Sequence, residues 1–275
     1  MNDNELINDL AKSIQLANEF IYEKSLFIKE NFEKHDISFN IQIVLNFFYS
    51  IIETTDGIYS LTYDKNVGSI NALARIQYES VIQFLMLLSD DYKTNILSYE
   101  YHQLKQLIST NDYLINTDNK YKTNFYKHEN SKLKTFIKSK KFEIVRNEIP
   151  KNLKYSNWFI VTKGHPKTIT QLIRNYFQNT SFIGREAVTK YYSFLSYNVH
   201  NHNVDRFVQN GYILPIRRDN LMDAPIEMVT MFMLASLLKL IDFLESELKI
   251  STKNKNEIVE LFEKVNKFAK GKIKK

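Results

Sequence analysis

Asn71, Arg75, Glu79 and Gln83 recur every four residues through an otherwise apolar stretch, and Tyr192, Ser196 and His200 do the same further along the chain. In a helix a four-residue step keeps side chains on one side, so each set forms a polar stripe. Polar groups in an apolar helix are costly unless bonded, so each stripe marks either an internal network or a site. Arg75 offers five fixed donors suited to a carboxylate or a phosphate. Glu79 either acts as base or ligand, or satisfies Arg75. Arg before Glu is the less favourable order for a helical pair, so surface stabilisation explains the two poorly. His200 carries the group best suited to proton transfer near neutral pH. Ser196 and Tyr192 lie one and two turns before it. A Ser–His pair suggests nucleophilic catalysis, but one helical turn is an unusual frame for it, and no nucleophile-elbow glycines surround Ser196. The catalytic candidates are therefore Arg75, Glu79 and His200, with Ser196 and Tyr192 in support.

Metal chemistry is less well provided for. His200 and His202, with Asp205 or Glu79, are the available ligands, but their spacing matches no standard metal motif. The chain lacks a phosphate loop, a dinucleotide glycine fingerprint, a helical zinc His-Glu pair and a ferritin-type Glu-x-x-His. Neither a metal nor a cofactor is expected. There is no cysteine, which excludes disulfides and thiolate catalysis.

The stripes need helices to carry them. With only 6 Gly and 4 Pro in 275 residues, turn signals are sparse, and few long elements follow. Apolar spacing predicts a first helix from Asp3 to about Asn31, then a break over His35 to Ser38 with Asp36 or Ser38 as cap. A second helix runs to about Tyr63. The third spans roughly Ser69 to Leu88, is apolar on nearly every side, and should be central. A fourth runs to about Leu114. A lysine-rich section, one or two helices, ends at Pro150. Residues 151 to 166 look irregular. Thr168 can cap a short helix through Phe177. Helices from Arg185 to about His200, Ala224 to Lys249 and Asn254 to Lys270 follow, with a loop over Asn201 to Asp219. The expectation is an all-α fold, a single bundle of seven to nine helices over residues 1–275, with a basic helical insertion at 119–154 and a basic tail at 264–275.

At 44% hydrophobic and 25% charged the chain can bury a real core. Its net charge of +6 is unevenly placed. Between Asn119 and Lys154, ten lysines and Arg146 oppose three glutamates, and the tail from Lys264 holds six lysines and no acid. Two basic patches on a mildly acidic body suit nucleic acid or another polyanion, or are simply solvated. Met228 to Leu238 is too short to span a bilayer. The acidic start, Met-Asn-Asp-Asn-Glu, is no secretory leader. A cytoplasmic protein without membrane contact is expected, and a homo-oligomer is compatible with it.

Arg75-x-x-x-Glu79 in an apolar helix is followed by Trp158 ahead of Thr168-Ile-Thr-Gln-Leu172, and then by Tyr192-Ser-Phe-Leu-Ser-Tyr-Asn-Val-His200. In order and spacing this resembles the bacterial helical family called domain of unknown function 5677, over roughly Asn40 to His202. The resemblance implies an all-helical fold and little about chemistry. More distantly, the chain is similar to HEPN helical bundles of toxins and phage-defence proteins. RNases of that group use an Arg-x4–6-His motif. Here Arg174-Asn175 begins such a motif without the His, and Arg206 follows His200 rather than preceding it. Two readings stand side by side. One is a binding or defence-associated module. The other is a metal-independent RNase or toxin-like effector using Arg75 and His200.

Overall fold

The computed structural model describes residues 2–32, 39–89, 91–117, 123–149, 157–177, 190–196, 208–209, 212–213, 221, 225–249 and 251–273. The fold is all-α. Its helices are α1 (Asp3–Phe32), α2 (Phe39–Tyr63), α3 (Val67–Leu87), α4 (Tyr92–Thr117), α5 (Thr123–Phe136), α6 (Glu143–Glu148), α7 (Ile169–Phe177), α8 (residues 190–196), α9 (Ile226–Leu248) and α10 (Lys255–Ile273). Short 3₁₀ turns lie at Lys140–Phe142 and Trp158–Val161. Within the expected loop of 201–219, Val208–Gln209 pairs antiparallel with Tyr212–Ile213. The expected break over 35–38 lies outside the described residues, as do His200, His202, Asp205 and Arg206.

Two compact units divide the chain, Met1–Leu85 with Tyr176–Lys275, and Met86–Asn175. In the first, α9 packs against α1, α2 and α10. Its apolar residues point in all directions, and Val229, Met231, Phe232, Met233, Leu234 and Leu237 are all fully buried. Through this stretch the helix has no polar side to offer solvent, so its neighbours must surround it. Lys249, left-handed at φ 53°, ends it. Gln77 of α3 is fully buried and donates to Thr55 Oγ1 on α2 and to the Val229 carbonyl on α9, both at 3.0 Å. That one amide cross-links three helices. Lys264, the first lysine of the basic tail, pairs with Asp9 of α1 at 2.7 Å, and the tail is helical as far as Ile273.

In the second unit α4 packs against α5, α6 and the Trp158 turn. Tyr101, Phe142, Val145, Ile160 and Val161 form its core. Ser98 donates to the Trp158 carbonyl at 2.6 Å, tying the irregular segment to α4. The expected cap is present: Thr168 Oγ1 accepts from the Gln171 amide at 3.2 Å. Gly164 adopts φ +83° just before it, and an added Cβ would come within 2.7 Å of Asn175. Only glycine suits that turn. The lysine-rich section 119–154 falls wholly inside this unit, which begins earlier and ends later.

Candidate functional site

Residues 75 and 79 are one turn apart on α3, and α8 brings Tyr192 to them. The Arg75 Nε donates to Glu79 Oε1 at 3.0 Å, and the Tyr192 hydroxyl donates to the same oxygen at 3.0 Å. The guanidinium carbon of Arg75 lies 5.6 Å from the centre of the Tyr192 ring, a cation–π contact. Side-chain exposure is 19% for Arg75 and 30% for Glu79, so the pair sits at the rim of the core. The remaining ladder residues do other work. Gln83 donates to the Glu79 backbone carbonyl at 3.3 Å. Asn71 is buried, and its Oδ1 accepts no hydrogen bond among the described residues.

An aromatic cluster lies beneath this trio. Tyr78 is fully buried. Its ring stacks on Tyr192 at 5.7 Å, and meets Tyr191 at 5.6 Å and Phe232 at 4.9 Å edge-to-face. Tyr78, the α8 tyrosines and Phe232 thus lock α3, α8 and α9 together. Glu227 of α9 is buried as well, and the Tyr191 hydroxyl is buried with no hydrogen-bond partner among the described residues.

These surroundings move the ionisation of the site. Burial works against the Arg75 charge, but the hydrogen bonds and charges of Glu79 and Tyr192 outweigh it and raise its pKa. Tyr192 is raised by burial and by the Glu79 charge, with Arg75 acting in the opposite sense. Burial raises Tyr78, with Tyr192 adding to it. Tyr191 is raised by burial, then by Tyr78 and Glu227. Tyr176, at the edge of the first unit, is pushed up to about 12 by burial. A phenol with a raised value stays neutral in the fold over a range where it ionises in the unfolded chain. Its contribution to stability is complete below about pH 10 and is lost as the pH rises through the folded value. The fold should therefore hold its stability up to about pH 10 and lose it progressively as the pH rises further. Circular dichroism followed against pH checks this, and the helical signal should stay level up to about pH 10 and fall above it.

Three of the five sequence candidates, Arg75, Glu79 and Tyr192, are in direct contact. Ser196 is half-buried on α8, one turn beyond Tyr192, and bonds to none of them. Among the described residues no group of three or more His, Asp or Glu side chains could hold a metal ion, and no helix is long and apolar enough to cross a membrane. Gln77, Tyr78, Tyr191, Glu227 and Phe232 escaped the sequence reading. Gln77 carried a signal, being a polar residue in the same apolar helix, but it falls off the four-residue step.

Glu79 Oε1 takes two donors, one of them charged, and the guanidinium is covered on one face. This arrangement fixes α8 to α3 and holds Tyr192 in one orientation. No curated protein matches the chain, and no solved structure does. The model of the Family of unknown function (DUF5677) matches residues 42–210, a stretch that includes Arg75, Glu79, Tyr192 and the whole of the second unit. Since that match spans more than half of its length, the chain belongs to the Family of unknown function (DUF5677).

Proposed function

We propose that the chain is a cytoplasmic, non-catalytic helical module that acts by binding a partner, with Arg75, Glu79 and Tyr192 as its internal brace. The observation that carries this reading is the double use of Glu79 Oε1. Its two donors come from different helices, Arg75 on α3 and Tyr192 on α8. An oxygen shared by donors from two helices ties those helices together, which is the work of a brace. Nucleic acid is the partner that the lysine-rich section 119–154 best suits.

The opposing reading is a metal-independent RNase in which Arg75 holds phosphate and His200 moves the proton. One set of variants separates the two. Glu79→Gln should lower stability by about 1–2 kcal/mol, the worth of charge-assisted hydrogen bonds discounted for partial exposure. Wild-type protein incubated with labelled RNA and a chelator should leave the RNA intact. RNA cleavage that disappears in His200→Ala, at unchanged stability, would overturn the module reading.

A further inference from the structure

The second unit carries an open groove of about 410 Å³ between α4 and α5. Its lining includes Asp112 from α4, and Lys127, Asn130, Lys134 and Lys138 from α5 and the turn that follows it. Positions 127, 130, 131, 134 and 138 share one side of a helix, so α5 presents a single basic edge along the groove.

The charges there are unequally used. Asp112 Oδ1 accepts from Lys134 Nζ at 2.9 Å and from Asn130 Nδ2 at 2.6 Å. The one acidic group lining the groove is thus compensated locally. Asn130 is only 3% exposed, and its Oδ1 accepts no hydrogen bond among the described residues. Its Nδ2 also reaches the Ile108 carbonyl at 3.3 Å, which fixes the amide orientation. Lys127 and Lys138 line the groove, and neither ammonium group has an acceptor among the described residues. The nearby Lys132 and Lys141 are occupied, by Glu129 at 3.0 Å and Glu100 at 2.6 Å. Of the three lysines lining the groove, then, two are free among the described residues, one toward each end, with the Lys134–Asp112 pair between them.

A solvated basic face would scatter its free lysines around the helix. On α5 and the turn that follows it, the free ones both flank a concave surface. They stand eleven residues apart, roughly 16 Å at about 1.5 Å of rise per residue. One small anion is too short to touch both, whereas successive phosphates of one strand can reach each of them. The exposed aromatics of α5, Phe125 and Phe136, fall on the side of the helix away from Lys127 and Lys134. The groove therefore offers ammonium donors and no stacking platform, which suits a backbone and not bases.

We infer that the groove between α4 and α5 seats the phosphodiester backbone of a single-stranded nucleic acid, held at its two ends by Lys127 and Lys138. This rests on the reading of the chain as a nucleic-acid-binding module. It adds that binding is local to one groove and indifferent to base sequence.

Fluorescence anisotropy of labelled oligouridylate and oligoadenylate, titrated with the full chain at several salt concentrations, tests it. Lys127→Ala/Lys138→Ala should weaken binding of both by roughly ten-fold. It should also flatten the log K against log salt slope by about 1.4, the value for two fewer phosphates neutralised on a single strand. Lys163→Ala/Lys167→Ala removes two exposed lysines of the same unit outside the groove, and should change neither quantity appreciably. Circular dichroism confirms that both variants are folded. Equal losses in the two double variants would mean diffuse attraction and overturn the groove site, as would wild-type affinity in Lys127→Ala/Lys138→Ala. A wild-type chain that binds heparin or an acidic protein but no oligonucleotide would overturn the nucleic-acid reading itself, and the groove assignment with it.

Discussion

Tyr78→Ala is expected to destabilise the first unit by about 3–5 kcal/mol, the range for removing a fully buried large aromatic. The site would lose more than volume. The Tyr78 ring is the surface on which Tyr192 stacks, and Tyr192 in turn carries the Arg75 guanidinium and bonds Glu79. A void there leaves Tyr192 free to change rotamer, and breaking each aromatic pair costs about a further 0.5–1.5 kcal/mol. Tyr78→Phe keeps the rings packed and should fall within about 1 kcal/mol of wild type, a typical net hydrogen-bond contribution. Chemical denaturation of the three proteins gives the values. Coupling is read from Glu79→Gln in the Tyr78→Ala background, where its cost should shrink toward zero. An undiminished cost there would mean that the polar trio stands without its aromatic floor.

The second large effect concerns Phe142→Ala. Phe142 is fully buried and meets Tyr101 at 5.5 Å and Phe136 at 5.5 Å. It belongs to the cluster of buried apolar side chains that forms the core of the second unit. Removing its ring should cost about 3–5 kcal/mol, a large share of the roughly 5–15 kcal/mol typical of a whole domain. Much of the rest of this region is held by polar ties. Arg146 donates to the Ile137 and Ser139 carbonyls at 2.7 and 3.1 Å, and Lys141 reaches buried Glu100. Those ties need the ring in place to set the turn they span. Calorimetry should show a transition for Met86–Asn175 moved to lower temperature, with the α9 core still melting near its original point. A single transition shifted as a whole would mean that the two units unfold together. Oligonucleotide binding should fall with the second unit, since α5 no longer holds its lysines along one groove.

Much of the helical content was legible in the residues themselves. Sparse glycine and proline, apolar spacing and Thr168 before Ile169 placed α3, α7, α9 and α10 close to their observed bounds. The same spacing singled out Arg75, Glu79 and Tyr192, because a polar residue inside an apolar helix is visible without a structure. Gln77 and Glu227 were not singled out. What distinguishes a buried glutamine from a surface one is the carbonyl waiting for it on another helix, here that of Val229. The lysine-rich section was legible as charge alone. Charge counts do not show that Lys134 is consumed by Asp112 and Lys141 by Glu100, while Lys127 and Lys138 are left over.

By itself, then, the sequence determined the all-α class, the position of most helices, the family and the stripe on which Arg75 and Glu79 lie. These depend on periodicity and local capping, which act over a few residues. Only the tertiary structure decided that Tyr192 joins them, that Tyr78 supports all three, and that α4 and α5 enclose a groove between two lysines. Those facts depend on which helix faces meet. That choice is made by burial summed over the whole core, and no local pattern encodes it.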